Sequence, residues 1–343
     1  MPVITKPNQH FDVSLYTGNG TSVSVTNSGS MQPDLVWGKS RSNAISNCLV
    51  DSVRGASRVL FSNLTDVEDN APGYYVTGFN SNGFTVGLGT GLNTNGATYV
   101  GWQWKAGGTA VTNTSGSISS QVSVNTTAGF SIVSYASGSA GQKTVGHGLG
   151  VTPSMIITKS RDSAVYNWSI YHSSVIDTTS KFLRFTTDAI VTSSTIWGAA
   201  LPTSTVFGIT SDNGVPANNN CIAYCWAPVA GYSAFGSYAS NNSTDGPFIY
   251  TGFRPKFIMI KITSGGTGNW EIFDTSRNTF NRMDLLLLPS GAAAESNAYG
   301  SYYIDAVSNG FKIRGNGAAF NGSGETLIYA AFAEAPFKYA NAR

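Results

Sequence analysis

The chain has 343 residues, with 20 Lys and Arg, 18 Asp and Glu and a net charge of +2; at 11% charged it lies far below the ~25% of a typical soluble domain. Near-neutrality and the lack of any five-residue basic run argue against nucleic acid as a partner, and no run of 18 apolar residues offers a membrane span. The 39 Gly, 18 Phe, 16 Tyr, 7 Trp and a hydrophobic share of 41% exclude a disordered polyelectrolyte and a coiled coil and point to turn-rich β-structure.

In chain order, residues 1–10 form an N-terminal arm. The start, Met1-Pro2-Val3-Ile4-Thr5-Lys6-Pro7, has no apolar stretch after a basic region, so no secretory signal is expected. Three cysteines (Cys48, Cys221 and Cys225) make no disulfide framework, which predicts folding in a reducing cytoplasm. Cys221 and Cys225 sit on one face of an alternating strand, about 13 Å apart, too far to pair. They read as small core residues.

One pattern then occurs three times. Pro33-Asp-Leu-Val-Trp-Gly-Lys39, Pro153-Ser-Met-Ile-Ile-Thr-Lys159 and Pro255-Lys-Phe-Ile-Met-Ile-Lys261 each follow a tyrosine (Tyr16, Tyr135, Tyr238) by 17, 18 and 17 residues. A second apolar segment comes after each Lys: Leu49-Val50-Asp51, Trp168 to His172 and Trp270 to Asp274. Each copy closes on an alternating aromatic strand ending at Trp104, Trp226 or Phe332, which lie 71, 73 and 77 residues beyond the Pro. The expected units are residues 11–105, 130–232 and 233–343, with a Gly/Ser/Thr-rich linker at 106–129. That linker is able to run as a spacer or to pack along a neighbour. The shorter joint at Ala227–Tyr232 predicts tighter coupling of the last two units.

Alternating runs such as Phe130-Ser-Ile-Val-Ser-Tyr135 predict strands with one face on a core. Continuous runs such as Phe257-Ile-Met-Ile260 predict strands covered on both faces, with Pro255 at the strand start costing no ladder bond. Asn309-Gly310 suits a tight turn with positive φ, and residues 291–296 allow one short turn of helix. The predicted fold is all-β, three tandem antiparallel β-sandwich repeats of jelly-roll or lectin-like type.

Catalytic chemistry finds little footing. His147, in Gly146-His-Gly148-Leu-Gly150, reads as a turn histidine, and no Gly-x-Ser-x-Gly elbow is present. One His per copy is too few for zinc. Asp51-x-x-Arg54 recurs as Asp274-x-x-Arg277, with His172 and Val175 in the middle copy; it reads as a turn with an ion pair, worth ~0–1 kcal/mol if exposed. Asp66-Val-Glu68-Asp69-Asn70 lacks the spacing and glycine of a calcium loop and reads as a solvated loop. No matched carboxylate pair suggests glycoside cleavage. No catalytic, cofactor or metal site is predicted. The lead for binding is aromatic rings among amide and hydroxyl groups, which suits sugars: Tyr299, Tyr302 and Tyr303, with Asn241, Asn242 and Asp245.

Thr144-Val-Gly-His-Gly-Leu-Gly150, Pro228-Val-Ala-Gly-Tyr-Ser233, Ser243-Thr-Asp-Gly-Pro-Phe248, Ser308-Asn-Gly-Phe-Lys-Ile-Arg314 and Ala331-Phe-Ala-Glu-Ala-Pro-Phe337 resemble a family of structural proteins of tailed, often marine, bacteriophages. The resemblance implies a non-enzymatic virion component of tail fibre type, made in the host cytoplasm and released by lysis. It implies contacts with other virion proteins of tail or capsid, a homo-oligomer with a trimer favoured, and contact with bacterial surface polysaccharide. The chain departs from a standard tail fibre in having no heptad or collagen-like shaft. Head decoration or a tail adaptor is therefore the alternative.

Overall fold

A computed structural model of the protein describes residues 3–193, 195–211, 215–297 and 303–336. Among these the fold is all-β and antiparallel, with one 3-10 turn (Pro7–Gln9) and one four-residue helix (Thr90–Asn93). Three larger sheets carry the architecture. The first runs in the order Phe11–Thr17, Thr98–Trp104, Leu35–Ser40, Cys48–Asp51, Arg58–Phe61, Asp69–Asn70. The second is Val111–Asn113, Ser120–Asn125, Phe130–Ala136, Asn220–Trp226, Met155–Ser160, Ser169–His172. The third is Ser233–Ala239, Thr326–Pro336, Phe253–Ser264, Glu271–Asp274.

The same four-strand order recurs in each, and so does its register. Trp37 pairs with Trp102, Ile157 with Tyr224, and Met259 with Ala330. The strand after each proline is sealed on both faces, as its continuous apolar run predicts. One set of alternate residues (Val36, Ile156, Ile258) packs under a smaller sheet of its own. Those smaller sheets are Val23–Thr26 with Gly83–Val86 and Val76–Asn80, Lys143–Gly146 with Val206–Ile209, and Asp245–Tyr250 with Gly310–Arg314 and Tyr303–Val307.

The opposite set (Leu35, Trp37, Met155, Ile157, Phe257, Met259) joins one core common to all three large sheets. Trp104 shows how tightly they meet: its ring lies 6.0 Å from Trp226 of the second sheet and 5.6 Å from Phe332 of the third. Such aromatic contacts add to the large area that each ring buries.

Three local expectations change and one left open is decided. Of the two courses open to it, the Gly/Ser/Thr stretch after Ala106 takes packing along a neighbour. Its segments Val111–Asn113 and Ser120–Asn125 extend the second sheet, Val122 opposite Val133. Pro255 lies inside its strand, at register shifts between Arg254 and Phe257, where a bulge spares the missing N–H. The hairpin before Phe311 turns on Ser308 and Asn309. Gly310 is needed for another reason, since a Cβ there would lie 2.0 Å from the Ile249 carbonyl oxygen. Residues 291–295 are irregular rather than helical, because Glu295 is pinned by its backbone N–H to the Arg41 carbonyl at 2.8 Å.

Candidate functional site

The three repeated lysines lie on the buried strands and are themselves buried. An ammonium without water needs acceptors, and each finds carbonyls on another part of the chain. Lys39 Nζ donates to Ile45 O (2.6 Å) and to Ala292 O (3.0 Å), beyond the third sheet. Lys159 donates to Ser160 and Ser163 and to Thr65 O of the first part (2.8 Å). Lys261 donates to Gly268 O and to Thr186 and Thr187 O of the second (3.2 and 3.1 Å). First reaches third, second reaches first, and third reaches second. Burial lowers all three lysines to about 8.

The second apolar segment repeats this cyclic order. Asn47 Nδ2 donates to Leu288 O (3.0 Å), Trp168 Nε1 to Phe61 O (2.9 Å) and Trp270 Nε1 to Arg184 O (2.7 Å). Backbone bonds from Glu295 to Arg41, Glu68 to Arg161 and Ile190 to Thr263 join the same pairs in the opposite sense. Side-chain ion pairs reinforce two of these, Arg41–Glu295 at 2.8 Å and Arg161–Glu68 at 2.7 Å. Bonds of these kinds join every pair of the three parts.

The Asp–Arg pairs are not exposed turn pairs. Their side chains have 0% exposure, and they too bridge. Asp51 Oδ2 accepts from Arg54 Nε (2.5 Å) and from Tyr224 OH of the second sheet (2.8 Å). Asp274 Oδ2 accepts from Arg277 Nε (2.6 Å) and from Trp102 Nε1 of the first (3.1 Å). Burial opposes the Arg54 charge, yet Asp51, Tyr224 and Glu68 outweigh it and raise its pKa. The middle copy has His172 where the others have an acid, and the third sheet has Ala330 where the others have Tyr224 or Trp102. His172 Nε2 instead meets the backbone carbonyl of Tyr329 at 3.2 Å, and burial lowers its pKa to about 4. A neutral donor thus faces a main-chain acceptor where both polar side chains are missing.

The remaining motifs resolve as structure. His147 is buried and its Nε2 meets Thr203 O at 3.1 Å. Cys221 and Cys225 are free core thiols, as expected. In the acidic cluster, Glu68 is no solvated loop residue: its carboxylate bonds Arg54, Arg58 and Arg161. Although burial works against its charge, Arg161 and Arg54 hold it below the usual carboxylate range. Among the described residues no three His, Cys, Asp or Glu are grouped to hold a metal ion.

The sugar-contact candidates separate. Tyr299 and Tyr302 lie outside the described residues. Asn241 shapes its own loop: its Oδ1 accepts from Ser243 N–H (3.0 Å) and Asn321 Nδ2 (3.0 Å), and its Nδ2 donates to Asp245 O (3.1 Å). Asn242 is exposed at φ 50°. Asp245 and Tyr303 are brought together, one on each side of Arg314 in a single row across the smaller third sheet. Arg314 bonds Asp245 (3.3 Å) and Asp305 (2.7 Å), and Arg282 lies over the Tyr303 ring at 5.1 Å.

The same face carries two aromatics that the sequence reading did not single out. Phe248 and Tyr250 are 48% and 65% exposed, on either side of buried Ile249. Opposite Tyr250 stands Gly310, and the Phe248 ring lies 3.1 Å from where a Gly310 Cβ would sit. Alternation of large aromatics about one aliphatic residue is the signal that marks them. The matching outer rows elsewhere carry no aromatic ring: Ser24, Thr26, Thr85 and Asn80 on the first smaller sheet, and Thr144, Gly146, Val206 and Gly208 on the second. The rings are therefore peculiar to the third sheet.

No curated protein and no solved structure matches the chain. Residues 6–336 match a domain of unknown function, DUF7483, and on that nearly complete span the chain belongs to this family.

Proposed function

We propose that the protein is a structural component of a tailed-bacteriophage virion, of the tail fibre or appendage type. In this reading it consists of three tandem copies of one β-sandwich unit, jelly-roll or lectin-like, set about a pseudo-threefold axis, and it is not an enzyme. The observation that carries it is the cyclic set of buried bonds. Lys39, Lys159, Lys261 and both Asp–Arg pairs, the residues with the most chemical potential, hold one part of the chain to the next. The threefold arrangement expected of a fibre-type homotrimer is supplied here by one chain, and any further copies would add through outer faces.

The face with Phe248 and Tyr250 is the proposed contact for host-surface glycan. Aromatic rings stack on the C–H faces of sugars, and the neighbouring Asp245, Asp305, Lys312 and Arg314 offer both donors and acceptors to hydroxyls. Binding of purified protein to host cells or their polysaccharide tests this. Phe248→Ala and Tyr250→Ala are each expected to lower retention about fivefold or more, the effect of losing more than ~1 kcal/mol at a contact. Both rings are exposed, so folding is expected to survive. Wild-type protein that folds and is not retained overturns the glycan reading.

Head decoration is the second reading. The cyclic bond order favours it, since such a body suits a threefold seat on a capsid. Antibody labelling of purified particles separates the two: label at the tail supports the first, label at regular head positions the second, and label on neither overturns the virion assignment.

A further inference from the structure

In each large sheet the strand that carries the leading tyrosine lies outermost of the four that recur. Counted back from Tyr16, Tyr135 and Tyr238, the residues Val13, Ile132 and Phe235 are equivalent. Each turns its backbone N–H and C=O away from the neighbouring strand of its own part. Such an edge is a template for another strand, and the three parts treat it differently. In the second, Ser120–Asn125 covers it, with Ser123 opposite Ile132 and Gln121 opposite Ser134. In the first, side chains cap it: Val13 N–H donates to Asp12 Oδ1 at 2.8 Å, and Val13 O accepts from Ser276 Oγ at 3.3 Å. In the third, nothing among the described residues bonds the outward groups of Phe235, Ser237 and Ala239. Nor has Ser233–Ala239 a proline, a charge or a bulge, the features that blunt an open edge. The joint before it is too short to fold back as a strand, and is used up in a turn where Ser233 N–H donates to Val229 O at 2.9 Å.

We propose that the outer edge of Ser233–Ala239 is a strand-addition site for an extended, uncharged segment of a partner protein. Main-chain bonds supply the attraction in this mode, and alternate side chains supply the selectivity. The edge itself indicates the pattern. A Cβ on Gly236 would lie 2.6 Å from the Tyr329 hydroxyl, so that ring fills the place that Val133 holds in the second part. There Val122 stands opposite Val133. A β-branched residue opposite Gly236 therefore extends the apolar face, with hydroxyl or amide residues before and after it beside half-buried Phe235 and exposed Ser237. The edge stands at the corner with the second part, the His172 ring 6.4 Å from that of Phe235. A second copy paired about a twofold axis would bring its own second part into the same corner. A lone strand brings no such body.

A synthetic peptide of residues 119–126, Ser-Ser-Gln-Val-Ser-Val-Asn-Thr, has this pattern and serves as the probe. Amide hydrogen exchange of the intact chain, followed by NMR, is the readout. Saturating peptide is expected to slow the Phe235 and Ser237 amides about tenfold or more and to leave those of Ile132 and Ser134 unchanged. The same peptide with Val122→Asp is expected to bind about tenfold more weakly or worse. Ser237→Pro in the protein removes an outward N–H and no bond of its own sheet, so the fold is expected to survive while affinity falls about tenfold or more. Should that variant not fold, the exchange pattern of the wild-type chain decides alone. Absence of saturable binding, slowing confined to Ile132 and Ser134, or unchanged affinity in folded Ser237→Pro overturns the proposal. So does slowing at Phe235 and Ser237 that needs no peptide and grows with protein concentration, which would assign the edge to a second copy.

Discussion

Buried Lys39, Lys159 and Lys261 differ from ordinary core residues in what their removal leaves behind. Lys159→Met relieves a desolvated charge but strips a donor from the carbonyls of Thr65, Ser160 and Ser163. Hydrogen bonds to charged groups are worth ~1.5–3 kcal/mol, so the variant is expected to lose about 2–3 kcal/mol in chemical denaturation. Glu271 behaves in the opposite way. It is buried, its Oε2 has no partner, and burial pushes its pKa up to about 8. Between the unfolded value of ~4.3 and about 8 the unfolded chain releases a proton that the folded chain keeps. Stability therefore falls as pH rises through that window. Glu271→Gln is expected to melt higher than wild type, by a margin that grows from pH 5 to pH 8; a margin constant with pH would show that the group does not titrate there. The lysines were visible in the sequence as a repeated landmark. Their acceptors were not, because backbone carbonyls carry no residue-type signature.

The Asp–Arg elements join through Tyr224 and Trp102, across 173 and 172 residues of chain. Breaking a buried pair of this kind by removing one partner costs ~3–5 kcal/mol. Tyr224→Phe deletes one hydroxyl and keeps the ring, so a smaller loss of about 1–2 kcal/mol is expected. A double-mutant cycle with Asp51→Asn is expected to give a coupling of ~0.5–3 kcal/mol, and additive losses would mean that the two do not act together. The D-x-x-R spacing gave away the turn and its ion pair, but not its burial, which depends on what another sheet lays over it. The same limit applies elsewhere. Low complexity after Ala106 left a spacer and packing along a neighbour equally open, and only the sheet edge that Val111–Asn113 and Ser120–Asn125 extend decides between them. Helix propensity at 291–296 lost to the tertiary bonds of Glu295. Phe248 and Tyr250 were overlooked because exposure on an edge strand and burial on a central one give similar aromatic alternation.

At the scale of the molecule, the sequence disclosed all-β character and recurring landmarks, and these now sit at matched register in three sheets. What it did not disclose is that one face of each sheet belongs to a common core. Periodicity marks a buried face without naming what covers it, and a strand sealed by its own unit looks the same as one sealed by a neighbour. A shared core has a thermodynamic consequence. Pulling one large sheet away exposes the inner faces of the other two and breaks two of the three buried lysine links, so no sheet is expected to be stable alone. Scanning calorimetry of the intact chain measures this directly. One transition with equal calorimetric and van't Hoff enthalpies is expected; two or three resolved transitions, each melting one sheet independently, would contradict it.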